Sequence, residues 1–277
     1  MRPAGVARAL ARQAINELRV AARRAIAVRP RRTSAATQSL VDRLRRDGYA
    51  VVPTFLTAAR CAELRDRVDG ALEEHAQFVQ QDPMGADRRL FGLDAYDPEI
   101  RAIAFDPFLI DVLKTYERAS SHEGFALCAH LRTRPHNLGS GQGWHRDSAA
   151  YTQTKYMVYL SDVGSDNGPF QYVRGSHRSE QILRAIFAYG YAANQFRFTD
   201  EEISRLTTAE LGRLQTFTAP AGTAIVFDSR GLHRGMPIAS GDRYAITTYL
   251  WFDRPPVGHV RALTIAEQRR RSDGGLG

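Results

Sequence analysis

With 277 residues, 43% hydrophobic and 25% charged, the chain has the composition of an ordinary globular protein with material for a sizeable core, and no apolar run approaches bilayer length. A formal charge of +8 would point to nucleic acid if it were spread over the molecule, but residues 1–36 carry nine Arg against the single acid Glu17, which leaves 29 basic and 29 acidic residues beyond them. The neutral body excludes general nucleic-acid binding, and the two distant cysteines, Cys61 and Cys128, fit no disulfide framework and no zinc spacing, as expected in a reducing cytoplasm.

Residues 1–28 read as a basic amphipathic helix, with Ala11, Ile15, Leu18, Ala22 and Ile26 on one stripe and Arg8, Arg12, Arg19 and Arg23 on the next. Such a helix either makes peripheral contact with an anionic membrane surface or packs on the domain as an extension, bounded here as 1–36. The main domain is expected over 37–262. A short helix from Ser39 ends at Gly48, Tyr49 to Pro53 reads as a strand, and Ala58 to Val79 as a helix. Helical periodicity over 97–118 breaks at Pro107. Beyond Gly124 the pattern alternates with period two as far as Phe252, giving strands at 125–134, 155–161, 170–173, 215–218, 223–227 and 243–252. Helices first and strands afterwards predict a mainly β fold, a sandwich or barrel with flanking helices on one side.

Residues 176–214 form an insertion with its own helices, marked by the capping box Thr199 to Glu202 and by Phe187, Tyr189, Tyr191, Phe196 and Phe198. It is expected to be a lid over a site or an interface. Residues 263–277 read as a disordered tail. The segment 125–134 sets Phe125, Leu127, Ala129 and Leu131 against Cys128, His130, Arg132 and Arg134. If the apolar face meets the helices, His130 and Arg132 line the interior; otherwise the polar face is solvated. All but two of the 38 basic residues are arginine, the exceptions being Lys114 and Lys155, a bias that reads as genomic composition.

The residues that carry chemistry begin with His145-Arg146-Asp147. On extended backbone an imidazole and a carboxylate at i and i+2 project from one side, while Arg146 points away. A distant histidine, His233, would complete three ligands on one face of an octahedron, leaving three positions for a bidentate co-substrate and dioxygen. Arg243 follows at the start of the next strand, where a guanidinium can pair with a distal carboxylate.

Three blocks resemble the phytanoyl-CoA dioxygenase family: Gly143-Trp-His-Arg-Asp-Ser148; Leu160-Ser-Asp-Val with Asp166-Asn-Gly-Pro169 and Gly175-Ser-His177; and Ala221 to Asp228 leading to His233-Arg-Gly235. The resemblance spans roughly residues 40–252 and implies a double-stranded β-helix, a cupin-like jelly-roll barrel. It also implies an Fe(II)- and 2-oxoglutarate-dependent dioxygenase that oxidises a small molecule with O2. By analogy His145, Asp147 and His233 hold iron and Arg243 anchors 2-oxoglutarate, with Met157 and His130 as further candidates around the co-substrate. The chain departs from the family pattern in having Gly235 where Ser is usual, Met157 where Trp is usual, and Arg174 in place of the proline of a Pro-Gly-Ser-His turn. Asp147 fills the position that halogenases leave open for chloride. Arg132 and Arg174, with Arg134 and Arg146, point to an anionic substrate, or else are surface charge. The alternatives are an inactive β-barrel binding module held at a membrane by the N-terminal helix, and an oxygen-independent isomerase or hydrolase on the same barrel.

Overall fold

The computed structural model describes residues 33–147, 153–192, 195–208, 213–252, 255–256 and 258–274, together with Ala11, Ala14, Ile15, Glu17, Leu18 and Ala22. Helix α1 (Ala35–Asp47) starts earlier than its apolar periodicity suggests, because the Ser34 side chain accepts from the Thr37 amide and so caps the first turn. It stops at Gly48, which adopts φ 88°. A Cβ there would lie 2.4 Å from the Tyr172 hydroxyl, so the position demands glycine twice over. Strand β1 (Tyr49–Val52) and helix α2 (Ala58–Glu74) follow, then β2 (Gln80–Gln81) and β3 (Asp87–Phe91). Pro107 ends nothing. It is the first residue of α4 (Pro107–Glu117), capped by Asp106, just as Pro98 opens α3 (Pro98–Ala104) under the cap of Asp97.

The strand half comprises β4 (His122–Arg132), β5 (Gln153–Tyr159), β6 (Phe170–Val173), β7 (Leu214–Phe217), β8 (Ala224–Asp228), β9 (His233–Gly235) and β10 (Asp242–Phe252). The helices α5 (Ser179–Tyr189) and α6 (Asp200–Thr208) fall between β6 and β7. The strands form a seven-stranded sheet in the order β1-β8-β5-β10-β4-β3-β2, faced by a three-stranded sheet β7-β6-β9, and every named pairing is antiparallel. This is the expected jelly roll. α1 to α4 cover the outer face of the large sheet, where Val41, Leu44, Leu64 and Leu113 pack with Ala126, Cys128, Val226 and Ile246. The inner face and the small sheet enclose a second core of Tyr159, Phe170, Tyr172, Phe217 and Phe227.

Two expectations are corrected. On β4 it is Phe125, Leu127 and Leu131 that face the interior, whereas Cys128 joins the core beneath the helices and His130 lies on that same side. His130 stacks on Tyr244 with ring centroids 3.9 Å apart, near Asp69 and Asp242, so it takes no part in the interior cavity. Arg132 shares that face. Small side chains at Ala126 and Cys128 admit the helices, and the carboxylates of Asp69 and Asp242 accommodate the one polar ring. Secondly, the C-terminal segment is ordered: α7 (Gly258–Arg261) is followed by α8 (Ile265–Gly274), whose Ile265 is fully buried in the helix-side core. Arg269 of the same helix lies over the rings of Phe78 and Tyr96, at 5.6 and 5.0 Å. Of the N-terminal stripe Ala11, Ile15, Leu18 and Ala22 are exposed, and among the described residues of that segment the buried one is the acid Glu17. Ile26 lies outside the described residues. No helix among the described residues is long and apolar enough to cross a membrane.

Candidate metal centre

His145 stands in extended chain beside β9 and forms a reciprocal bridge with His233: each amide donates to the other's carbonyl at 2.9 Å. The two imidazoles are thereby brought to 4.3 Å between centroids. Each ring is also turned by its own chain, since Nδ1 lies 2.9 Å from the carbonyl two residues earlier, Gly143 for His145 and Gly231 for His233. With Nδ1 donating there, both Nε2 lone pairs face inward, the tautomer a metal requires. Two residues on, the Asp147 amide donates to Ser229 at 3.0 Å and brings the carboxylate to the same point, with Oδ2 3.5 Å from His233 Nε2. One ligand atom from each residue falls within 4.8 Å of the others.

Burial, with the neighbouring His233, pushes His145 down to about 3, and burial likewise lowers His233, so both rings are neutral donors at ordinary pH. Burial alone would raise Asp147. The ammonium of Lys155, 2.7 Å from Oδ2, overcomes this and holds the carboxyl ionised. Two neutral imidazoles and one carboxylate, preassembled on rigid backbone, are a donor set for a divalent ion of the Fe(II) kind with open positions.

A cavity of about 240 Å³ runs from this point to Arg243, past Met157, Phe227, Gly235 and Ser140. Arg243 is 2% exposed; its Nη1 donates to the Gly168 carbonyl, while Nε has no hydrogen-bond partner. A buried guanidinium with an unmet donor at the closed end of a cavity is a seat for a carboxylate. The absence of Ser at 235 is compensated from elsewhere. A Cβ on Gly235 would lie 2.9 Å from the Ser140 Cβ and 3.1 Å from Arg243 Nη1, so the loop residue Ser140 occupies that space.

A second cavity of about 270 Å³ opens on the other side of the ligands, lined by Gln153, Phe196, Arg197, Tyr249, Trp251 and His259. Phe196 and Arg197 come from the insertion. Residues 196–198 run beside the metal-binding segment: the Arg146 amide donates to Phe196 and the Phe198 amide to Trp144, both at 3.0 Å. The insertion's capping box forms as expected, with the Glu202 amide donating to Thr199 Oγ1 at 3.1 Å and the Thr199 amide to Glu202 Oε2 at 2.8 Å. Arg197, Arg89 and Lys155 are the cations of these cavities that sequence reasoning missed, Arg89 being held by Asp87 at 2.7 Å.

The remaining candidates lie elsewhere. Arg174 has a side chain 46% exposed and pairs with Asp47 at 2.6 Å, so it belongs to the surface turn at the end of α1. Arg132 is on the helix side of β4, and Arg134 is exposed. Arg146 is buried, but behind the ligands, over Phe198 and beside Arg230.

The profile of the phytanoyl-CoA dioxygenase (PhyH) family matches residues 44–245. The chain belongs to this family. Among curated relatives of this dioxygenase, the L-proline trans-4-hydroxylase of Streptomyces griseoviridis is 23% identical over 78% of this chain and 87% of its own length. The ectoine dioxygenase of Bordetella bronchiseptica is 22% identical over 72% and 70%. Among solved structures, the epimerase SnoN in complex with Fe3+, alpha ketoglutarate and nogalamycin RO superposes with a TM-score of 0.62 at 20% identity, covering 79% of this chain and 84% of that one. At that identity the likeness is one of fold.

Proposed function

We propose that the protein is an Fe(II)- and 2-oxoglutarate-dependent dioxygenase that hydroxylates, or otherwise oxidises, a small anionic metabolite. The observation that carries the reading is a cavity bounded at one end by the inward-facing donors of His145, Asp147 and His233 and at the other by the buried Arg243. The three ligands would hold the iron. Arg243 would take the distal carboxylate of 2-oxoglutarate, with Ser140 and Met157 along its length. Bound there, iron with 2-oxoglutarate and dioxygen supplies the oxidising power for C–H chemistry.

The protein's own part is positioning and exclusion. Phe227 and Phe170 wall the His233 ring at 5.3 and 5.7 Å between centroids and keep bulk water from the ligands. Tyr249, Trp251 and Phe196 would clasp the apolar part of a substrate, and Arg197, from the insertion that we read as a lid, would meet its charge. The cavities hold Arg89, Lys155, Arg197 and Arg243 against Asp87 and Asp147. Two iron charges balanced by the two of 2-oxoglutarate leave this surplus intact, which favours an anion.

Anaerobic addition of Fe(II) and 2-oxoglutarate should give a visible metal-to-ligand charge-transfer band. Arg243→Met should weaken 2-oxoglutarate binding by about 100-fold, in keeping with the loss of a buried bidentate partner, while sparing metal binding. No band in the wild type would sink the reading, and turnover without oxygen would point to an isomerase or hydrolase. Gly235→Ser, which restores the residue usual in the family, is expected to weaken 2-oxoglutarate binding about tenfold, because the new side chain meets Ser140 and displaces Arg243. Titration of the same band measures it, and unchanged affinity would show that Ser140 yields.

A further inference from the structure

Of the two lysines in this arginine-rich chain, Lys114 lies in the last turn of α4, and Lys155 sits in the middle of β5, 3% exposed. Its Nζ is 2.7 Å from Asp147 Oδ2 and 3.7 Å from the centroid of the Tyr249 ring. That same Oδ2 is the oxygen 3.5 Å from His233 Nε2. The ammonium therefore holds the carboxylate oxygen that faces His233. Lys155 lines the cavity that reaches Arg243, and the two groups it touches, Asp147 and Tyr249, border both cavities, so the ammonium lies beside their junction.

We propose that Lys155 is an exchangeable counter-cation: it neutralises Asp147 in the metal-free protein, yields that carboxylate to the metal, and then presents its ammonium to the anionic group of the substrate. The inference rests on the oxygenase reading above. A guanidinium is too broad and too rigid for this task, whereas an ammonium is a compact point charge on a stem that can turn to a new partner. Once the metal holds Asp147, the ammonium is a buried cation in need of an anion, and a buried charge without a partner is strongly disfavoured. The Tyr249 ring face eases that state without satisfying it. A substrate that places a carboxylate or phosphate at the junction relieves it, which ties substrate entry to a metal-loaded site.

The test uses the full chain as wild type, Lys155→Met and, as a control, Lys114→Met. Metal-free protein is titrated calorimetrically with Co(II) in the absence of 2-oxoglutarate. Lys155→Met is expected to bind about tenfold tighter or more, since a competing cation is gone, and Lys114→Met to match wild type. Inorganic phosphate is then titrated into protein loaded with Fe(II) and 2-oxoglutarate and followed by the shift of the charge-transfer band. Wild type should bind it about tenfold more tightly than Lys155→Met. Equal or weaker Co(II) binding by Lys155→Met overturns the exchange. A phosphate response that is absent in wild type, or unchanged by the substitution, overturns the anion seat. If Lys155→Met does not fold, Lys155→Gln serves the same comparison. A wild type without the band defeats the oxygenase reading and with it the seat for substrate, while the Co(II) comparison still decides the exchange.

Discussion

Asp147→Ala is expected to abolish metal binding and also to lower the stability of the metal-free protein by about 3–5 kcal/mol, the range for breaking a buried ion pair from one side. The first effect follows from losing the only anionic donor of the three. The second is specific to this chain. Lys155 has a side chain 4% exposed, and burial disfavours its charge once no carboxylate stands beside it. Asp147 itself has a side chain 22% exposed, so water can reach the space left behind, which places the loss toward the lower end. Denaturant unfolding of metal-stripped protein measures it. The double variant Asp147→Ala/Lys155→Met should recover most of the stability without recovering metal binding. An Asp147→Ala protein as stable as wild type would mean that the pair contributes nothing to the fold.

Glu17→Gln should be almost as damaging, although the residue lies far from the ligands in sequence. Arg230 is fully buried in the turn between β8 and β9, and its Nη2 is paired with Glu17 Oε2. Burial and the adjacent Arg230 push Arg146 down to about 10, against the pull of Glu17. Two guanidiniums thus share one acid from the N-terminal extension, directly behind the metal ligands. Ser229, next to Arg230, receives the Asp147 amide, and Gly231 receives the His233 ring. Removing the acid's charge should cost about 3–5 kcal/mol and loosen both ligand turns. Thermal unfolding and Co(II) titration of Glu17→Gln, Arg230→Met and the pair together check this; the double variant should be more stable than either single one. Full stability of Glu17→Gln would show that the extension is not tied to the domain through this contact.

The metal site was legible because its signal is local and geometric: two donors at i and i+2 on extended chain, then His233 and Arg243 at strand starts. The jelly roll followed from the change of period near Gly124. What stayed hidden depends on contacts between distant segments. Alternation in β4 separates two faces but carries no mark of which one meets the helices, so His130 was assigned to the wrong side. The motif around Arg174 left open a substrate contact or a surface turn, and its pair with Asp47 decides for the surface. Ser140 beside Gly235, Glu17 against Arg230 and Arg197 over the ligand strand each join residues that neither spacing nor composition connects. Lys155, one of two lysines among the arginines, was visible in the sequence. Only its position against Asp147 gave it meaning.

The reciprocal amide bridge between His145 and His233 makes the separation of the two imidazoles a property of main chain, independent of side chains further out. Apart from Lys155, the residues that would choose a substrate come instead from the insertion and from the far end of β10. Reaction type and choice of molecule would therefore be written largely in different parts of the polypeptide, and meet at the pair of Lys155 and Asp147.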